Sequence, residues 1–199
     1  MNSKNVLIPF LIFLMSYNID ANEKISIDLD EDNNDCENIT RDTLIERSFS
    51  SDFVGTFNGK RVEYTASLKE KIIYEKDNPD LPMASFFYTE YIAKNKNQRP
   101  VIFSFNGGPG SASLWLHMGV LGPKVIKVPS DATDDGSPPY KIIDNKLSPL
   151  SDADLVFIDP VGTGYSRAIG CHEGEEFWGV SEDPKIIAEF IRRWITDNK

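Results

Sequence analysis

The sequence predicts an α/β fold: an antiparallel start, then parallel strands with a covering helix, laid out as one half of a larger sheet. Three observations carry that expectation. Strand-forming stretches separated by turn signals fill residues 53–93. Two short apolar runs, Val101–Phe105 and Leu155–Ile158, each end in a glycine-containing loop. An amphipathic helix pattern beginning at Asp183 closes the series. Antiparallel strands followed by strand–loop–strand–helix are the ingredients of a sheet with helices packed on it.

The first hairpin is signalled by Asn58-Gly59 between Phe53-Val54 and Val62-Glu63-Tyr64-Thr65. Asn-Gly suits a turn whose two central residues both need positive φ. Ile72-Ile73-Tyr74 continues the meander and Asp77-Asn78-Pro79-Asp80 breaks it; Ala84–Ala93 is rich in aromatic and β-forming residues. Lys94–Arg99 reads as a polar turn into Val101–Phe105. Leu155–Ile158 is apolar at every position, as a strand buried on both faces must be. In the helix, Asp183 is the N-cap and Pro184 occupies the first turn, where no N–H is needed. Ile187, Phe190, Ile191 and Trp194 form its apolar stripe, while Lys185, Glu189, Arg192 and Arg193 face away.

At 199 residues the chain is long enough for one sizeable core. Its net charge of −10 argues against nucleic acid or an anionic membrane surface as partner. Lys4, the apolar run Val6–Met15 and the small residue Ala21 have the layout of a secretory signal peptide over residues 1–21. An uncleaved anchor is the alternative, but the run is short for a membrane span. The expected location is therefore exported, periplasmic or secreted, with no stable membrane insertion after cleavage. Residues 22–50 read as an acidic, flexible leader. Asp28, Asp30 and Asp32 imitate a calcium loop, yet Asn33 and Ile39 stand where an EF-hand needs Gly and Glu. Asn38-Ile39-Thr40 is a glycosylation sequon. Export puts Cys36 and Cys171 in an oxidising compartment; they either pair or stay apart, and spacing does not decide. Zinc would need Cys171-His172 plus distant partners, so a loop cysteine and a solvated histidine are expected, with no metal.

The chemistry concentrates in Asn106-Gly107-Gly108-Pro109-Gly110-Ser111-Ala112-Ser113, directly after the strand Val101–Phe105. Such a loop presents backbone N–H groups at one spot, which suits an anion or a developing oxyanion. Leu114-Trp115-Leu116 and Met118 then suggest a buried segment. The second loop, Asp159-Pro160-Val161-Gly162-Thr163-Gly164-Tyr165-Ser166-Arg167, begins a dinucleotide fingerprint but has Arg167 at the third glycine position. Neither loop is a Walker A motif. Gly164-Tyr165-Ser166-Arg167-Ala168 imitates a nucleophile elbow, but Ser166 lies seven residues past Asp159, too far from the strand end. Ser166 is therefore expected to be structural. Ser111 and Ser113 read as loop or capping hydroxyls, with no base placed to activate them.

Asn106-Gly107-Gly108-Pro109-Gly110-Ser111 resembles the oxyanion loop of the serine carboxypeptidases, a branch of the α/β-hydrolase fold. Gly122-Pro123 and the Asp159–Ser166 loop fall where that family has its next motifs, and the wording is most similar to an exported bacterial branch. The resemblance runs from about Phe53 to Lys199, so residues 51–199 are identified as a partial domain of this kind. It implies a hydrolase that removes C-terminal residues from peptides with a Ser-Asp-His triad and no cofactor, acting on peptide or protein C-termini. It further implies that the Gly108 N–H forms half of the oxyanion hole and that Asn106, with Gly107, binds the substrate's terminal carboxylate. The sequence departs from secreted eukaryotic members at Ser104, Ser111 and Val120, where they carry Trp, Cys and Glu.

In this fold the nucleophile sits in a Gly-x-Ser-x-Gly elbow after the last helix, with the acid and histidine later still. No Gly-x-Ser-x-Gly occurs in the 199 residues, and His117 stands in the wrong order for a triad. The expectation is an N-terminal half: no catalytic residue in this chain, the triad beyond Lys199, and the chain alone inactive. The strand Val101–Phe105 is then expected to lack a neighbour, and the helix stripe to lack part of its floor. A secreted, non-catalytic peptide-binding protein of the same fold is the alternative.

Overall fold

The computed structural model describes residues 39, 41–95, 98–107, 110–128 and 138–198. The signal-peptide and leader readings up to Asn38 lie outside the described residues, as do Gly108, Pro109 and most of the acidic excursion after Val128. All the described residues belong to one compact unit, Asn34–Lys199.

Its strands are β1 (Ser48–Phe57), β2 (Lys60–Tyr74), β3 (Pro82–Ala93), β4 (Val101–Ser104), β5 (Lys124–Ile126), β6 (Ile142–Asp144), β7 (Asp154–Ile158) and β8 (Arg167–Ala168). The helices are a single turn α1 (Leu114–Leu116), running into a π-turn at His117–Leu121, and the long α2 (Glu182–Asn198). The main sheet has the order β1-β2-β3-β7-β4, with β8 paired to β3, and β5-β6 form a separate ladder. Only β4 and β7 run parallel; the other pairs of the main sheet are antiparallel. The sheet is therefore mixed and mostly antiparallel, consistent with part of an α/β-hydrolase sheet.

The first hairpin turns at Asn58 and Gly59, whose φ values of 48° and 77° are both positive, as the dipeptide predicts. The turn is also fastened from outside: the Asn58 side chain donates to the Ser148 carbonyl at 3.2 Å and to Ser151 Oγ at 2.9 Å. β7 is buried at all five positions. Its side chains alternate between two cores, as the period of a strand requires. Val156 and Ile158 join Ile73, Phe86 and Tyr88 under α2, while Leu155 and Phe157 join Phe57, Val62, Tyr64 and Leu150 on the opposite face. Asp154 secures the start of β7, accepting the Ala93 amide and the Arg99 Nε, both at 3.0 Å.

α2 begins one residue before the expected cap, and Ile186 joins Ile187, Phe190 and Trp194 in its buried face. Most of that face is covered, contrary to expectation, with Ile191 left half-buried. Phe190 meets Phe86 and Tyr88 at ring distances of 5.2 and 5.0 Å, and Trp194 stands edge-on to Phe103 at 5.3 Å. β2, β3, β4 and β7 supply that cover. Among the described residues β4 pairs with β7 alone. A second expectation fails beyond β4: Leu114 and Trp115 are 54% and 71% exposed rather than buried.

Candidate active site

Loops 105–113 and 159–166 leave the carboxyl ends of the parallel neighbours β4 and β7. Parallel strands place such loops at one edge of the sheet, where α/β folds bind ligands. Asp159, the residue after β7, ties the two loops together. Its Oδ1 accepts the Ser113 amide at 2.8 Å, and the Ser113 hydroxyl donates to the Ile158 carbonyl. On its other side a Cβ added at Gly164 would lie 2.1 Å from Asp159 Oδ2, and Gly164 already holds φ +51°. Glycine is required there for both reasons. Burial pushes the Asp159 carboxyl above its ordinary range, and the Ser113 amide pulls it partly back.

The second loop closes on itself. The Thr163 amide and hydroxyl both donate to the Pro160 carbonyl, at 2.9 and 2.8 Å, and the Ser166 amide donates to the Thr163 carbonyl at 2.9 Å. Ser166 has no exposed surface. Its hydroxyl donates to the Asp159 carbonyl at 2.7 Å and accepts the Phe87 amide at 2.8 Å. Ser166 is thus the structural serine the spacing suggested, pinning the loop to β3. Ser113 is buried likewise, although its hydroxyl makes no capping bond to α1.

In the first loop Asn106 Nδ2 donates to Ser111 Oγ at 3.3 Å, while Asn106 Oδ1 is buried without a partner. Gly107 is exposed, and nothing lies within 4 Å of where its Cβ would stand, so its main chain is open to approach. Gly108 lies outside the described residues. A cavity of about 330 Å³ adjoins Phe105, Asn106 and Gly107 on the side of α2. Asp183 reaches it as well, and burial raises the carboxyl of Asp183.

Neither histidine is placed as a triad base. His117 stacks on Phe157 with ring centroids 4.5 Å apart, and its Nε2 meets the Tyr91 hydroxyl at 2.6 Å. Burial lowers its pKa to about 4, so the ring is neutral at physiological pH. His172 is not the solvated histidine expected from the sequence. Its ring bridges Glu176 at 2.8 Å and Glu75 at 2.9 Å, with the side chain only 16% exposed. Burial opposes its charge, but the two glutamates outweigh that and raise its pKa. Cys171 is disulfide-bonded and so is no thiolate ligand; the chain's other cysteine, Cys36, lies outside the described residues.

Sequence reasoning missed the tie made by Asp159 and the cavity that Asp183 and Asn106 both line. An Asp at a strand end with a glycine five residues on was the available signal for the first. Nothing local signals the second, because 77 residues separate Asp183 from Asn106.

This site and sheet belong to a recognisable class of protein: residues 73–198, more than half the chain, match the serine carboxypeptidase family, Peptidase_S10. The chain is a member of that family, whose members are serine-type hydrolases of peptide C-termini. Among curated relatives, the pheromone-processing carboxypeptidase KEX1 of Saccharomyces cerevisiae is 35% identical over 102 residues, 51% of this chain and 12% of the yeast protein. Serine carboxypeptidase-like 9 of Arabidopsis thaliana is 30% identical over 111 residues, 55% of this chain and 24% of the plant protein. KEX1 of Cryptococcus gattii is 36% identical over 84 residues, again 12% of its length. The chain therefore spans a small part of the curated relatives it matches. These relatives are fungal and plant proteins, so the expected bacterial branch finds no support among them.

Proposed function

We propose that this protein contributes the substrate-binding and oxyanion elements of a serine-type carboxypeptidase, acting on the C-termini of peptides. The observation that carries the reading is the open main chain at Gly107 beside Asn106, at the carboxyl end of β4, in a loop whose far end is tied through Ser113 to Asp159. Asn106 Nδ2, engaged among the described residues by Ser111 alone at 3.3 Å, can turn towards a terminal carboxylate. Gly108, next in the chain, supplies an N–H to the oxyanion hole by family resemblance. The triad is assigned to residues outside these 199, since Ser113 and Ser166 are committed to structural bonds and neither histidine is placed as a base. Export follows from Lys4, Val6–Met15 and Ala21.

Binding of a short peptide with a free C-terminal carboxylate, compared with its C-terminal amide, tests the reading by calorimetry. We expect the free acid to bind at least tenfold tighter and Asn106→Ala to abolish the preference. Equal affinity for acid and amide would remove the basis for carboxylate recognition.

A further inference from the structure

The segment that follows the glycine loop, α1 and the π-turn to Leu121, buries no side chain completely. Its His117 ring is nonetheless seated on the sheet, stacked on Phe157 at 4.5 Å between centroids, with Nε2 at 2.6 Å from the Tyr91 hydroxyl. Gly122 closes that seat: an added Cβ would lie 2.9 Å from His117 Cδ2. The π-turn brings the Gly122 amide to the His117 carbonyl at 2.9 Å, while the His117 amide donates to the Ser113 carbonyl at 2.8 Å. Local π-turns recur at functional sites. Ser113, the last residue of the glycine loop, is held by Asp159 and Ile158. One anchor leaves a single turn of helix free to pivot. A second, one turn further on at His117, fixes its direction. Asn145 and Ser148 bind carbonyls at the far end only, those of Val120, Leu121 and Gly122.

We propose that His117 is a positioning residue: an uncharged ring whose seat on Phe157 and Tyr91 fixes the course of the loop 106–113, and whose protonation lets that loop move. The inference rests on reading this loop as the ligand-binding one, but on no particular ligand. Tyr91 bonds the ring from β3, and Tyr88, Tyr165 and Asp159 share a cavity of about 100 Å³ with it. β5, packed against the π-turn, brings Lys124, which pairs with Asp144. Among the described residues no carboxylate bonds the ring, so burial acts on it unopposed and lowers its pKa to about 4. An imidazolium without a counter-charge favours water over this seat. Asp159, whose carboxyl burial raises, is the other group here that gains a proton in acid.

NMR of the full chain labelled with ¹⁵N-glycine, titrated from pH 7 to 3, tests the assignment, with the His117 ring followed in the same samples. The chain has two histidines, so His172→Gln assigns the ring signals. The Gly107 and Gly110 resonances should move with the His117 midpoint, while Gly59 in the first hairpin stays in place. His117→Phe keeps a ring against Phe157 and takes no proton, so both loop glycines should hold still across the range. At pH 7, His117→Ala should displace them and His117→Phe restore them. Asp159→Asn separates the two titrating groups: the movement should persist in it, at the His117 midpoint. Loop glycines that ignore that midpoint, still titrate in His117→Phe or stop titrating in Asp159→Asn overturn the proposal. Gly59 moving in step with them overturns it too, because the event is then global. Should His117→Phe fail to fold, Asp159→Asn decides alone. No peptide is added, so failure here leaves the peptide acid and amide comparison standing.

Discussion

The Asp159 carboxylate accepts the backbone amide of Ser113 at 2.8 Å and leaves room at Gly164 for nothing larger than hydrogen. One side chain thus sets the spacing of both loops at the site. Asp159→Ala strands the buried Ser113 amide, and we expect a loss of about 1–3 kcal/mol in urea unfolding. Asp159→Asn keeps an acceptor and removes a charge that burial disfavours, so its cost should be clearly smaller. Equal losses in the two variants would mean that charge, not the Ser113 bond, is what the site needs.

No serine of the two loops should react with a fluorophosphonate probe. Ser166 Oγ is bonded to Asp159 and Phe87, Ser113 Oγ to Ile158, and Ser111 Oγ meets the Asn106 amide nitrogen rather than a base. A nucleophile needs an adjacent base and an exposed oxygen. The chain should therefore stay unlabelled under conditions that label an active serine hydrolase to completion. Labelling that vanishes in Ser166→Ala would make the second loop a true nucleophile elbow.

The two histidines should give pH effects of opposite sign. Burial lowers the His117 pKa to about 4 in the folded chain, against an ordinary value of 6.5 when unfolded. Between those values the unfolded chain binds a proton that the folded chain refuses. Stability therefore falls as pH drops from 6.5 to 4, by up to roughly 3 kcal/mol from this group. His117→Gln should remove that part of the slope. His172 has a raised folded pKa, so its contribution is complete below 6.5 and is lost as pH rises through the folded value. His172→Gln should then cost about 1 kcal/mol at pH 5.5 and much less at pH 8.5. Parallel urea titrations across this range measure both, and slopes of the same sign would contradict the assigned environments.

Much of this fold is written locally. Asn58-Gly59 specifies its hairpin through positive φ, and the unbroken run Leu155–Ile158 specifies a strand with a core on each side. The helix stripe was legible because Ile187, Phe190 and Trp194 recur at helical spacing. Burial of Leu114 and Trp115 was misjudged because hydrophobicity tells that a side chain favours cover, not whether a neighbour is present to give it. The solvated reading of His172 failed for the converse reason: its partner Glu75 lies 97 positions away. Of the candidate site, the loops were visible as glycine clusters, and the structural role of Ser166 followed from its distance to the strand end. The cavity shared by Asn106 and Asp183 was not visible, since only the packing of α2 against the sheet brings these residues to it.

Among the described residues that sheet ends at β4, and its register says which amides are open. The Asp154 amide donates to the Pro100 carbonyl at 2.9 Å, while Val101 aligns with Asp154 and Phe103 with Val156. In a parallel ladder this phase turns the Ile102 and Ser104 amides towards β7 and the Val101 and Phe103 amides outwards. An unpaired edge of this kind is a template for another strand. Hydrogen exchange in dilute protein should thus show protected amides at Ile102 and Ser104 and fast exchange at Val101 and Phe103. The Phe103 ring rests edge-on against Trp194, so fast exchange there would reflect an open backbone rather than a frayed strand. Raising the protein concentration should slow exchange at Val101 and Phe103 selectively, as edges pair between copies. Protection at all four amides in dilute solution would show that another segment already covers the edge, and concentration would then have no effect.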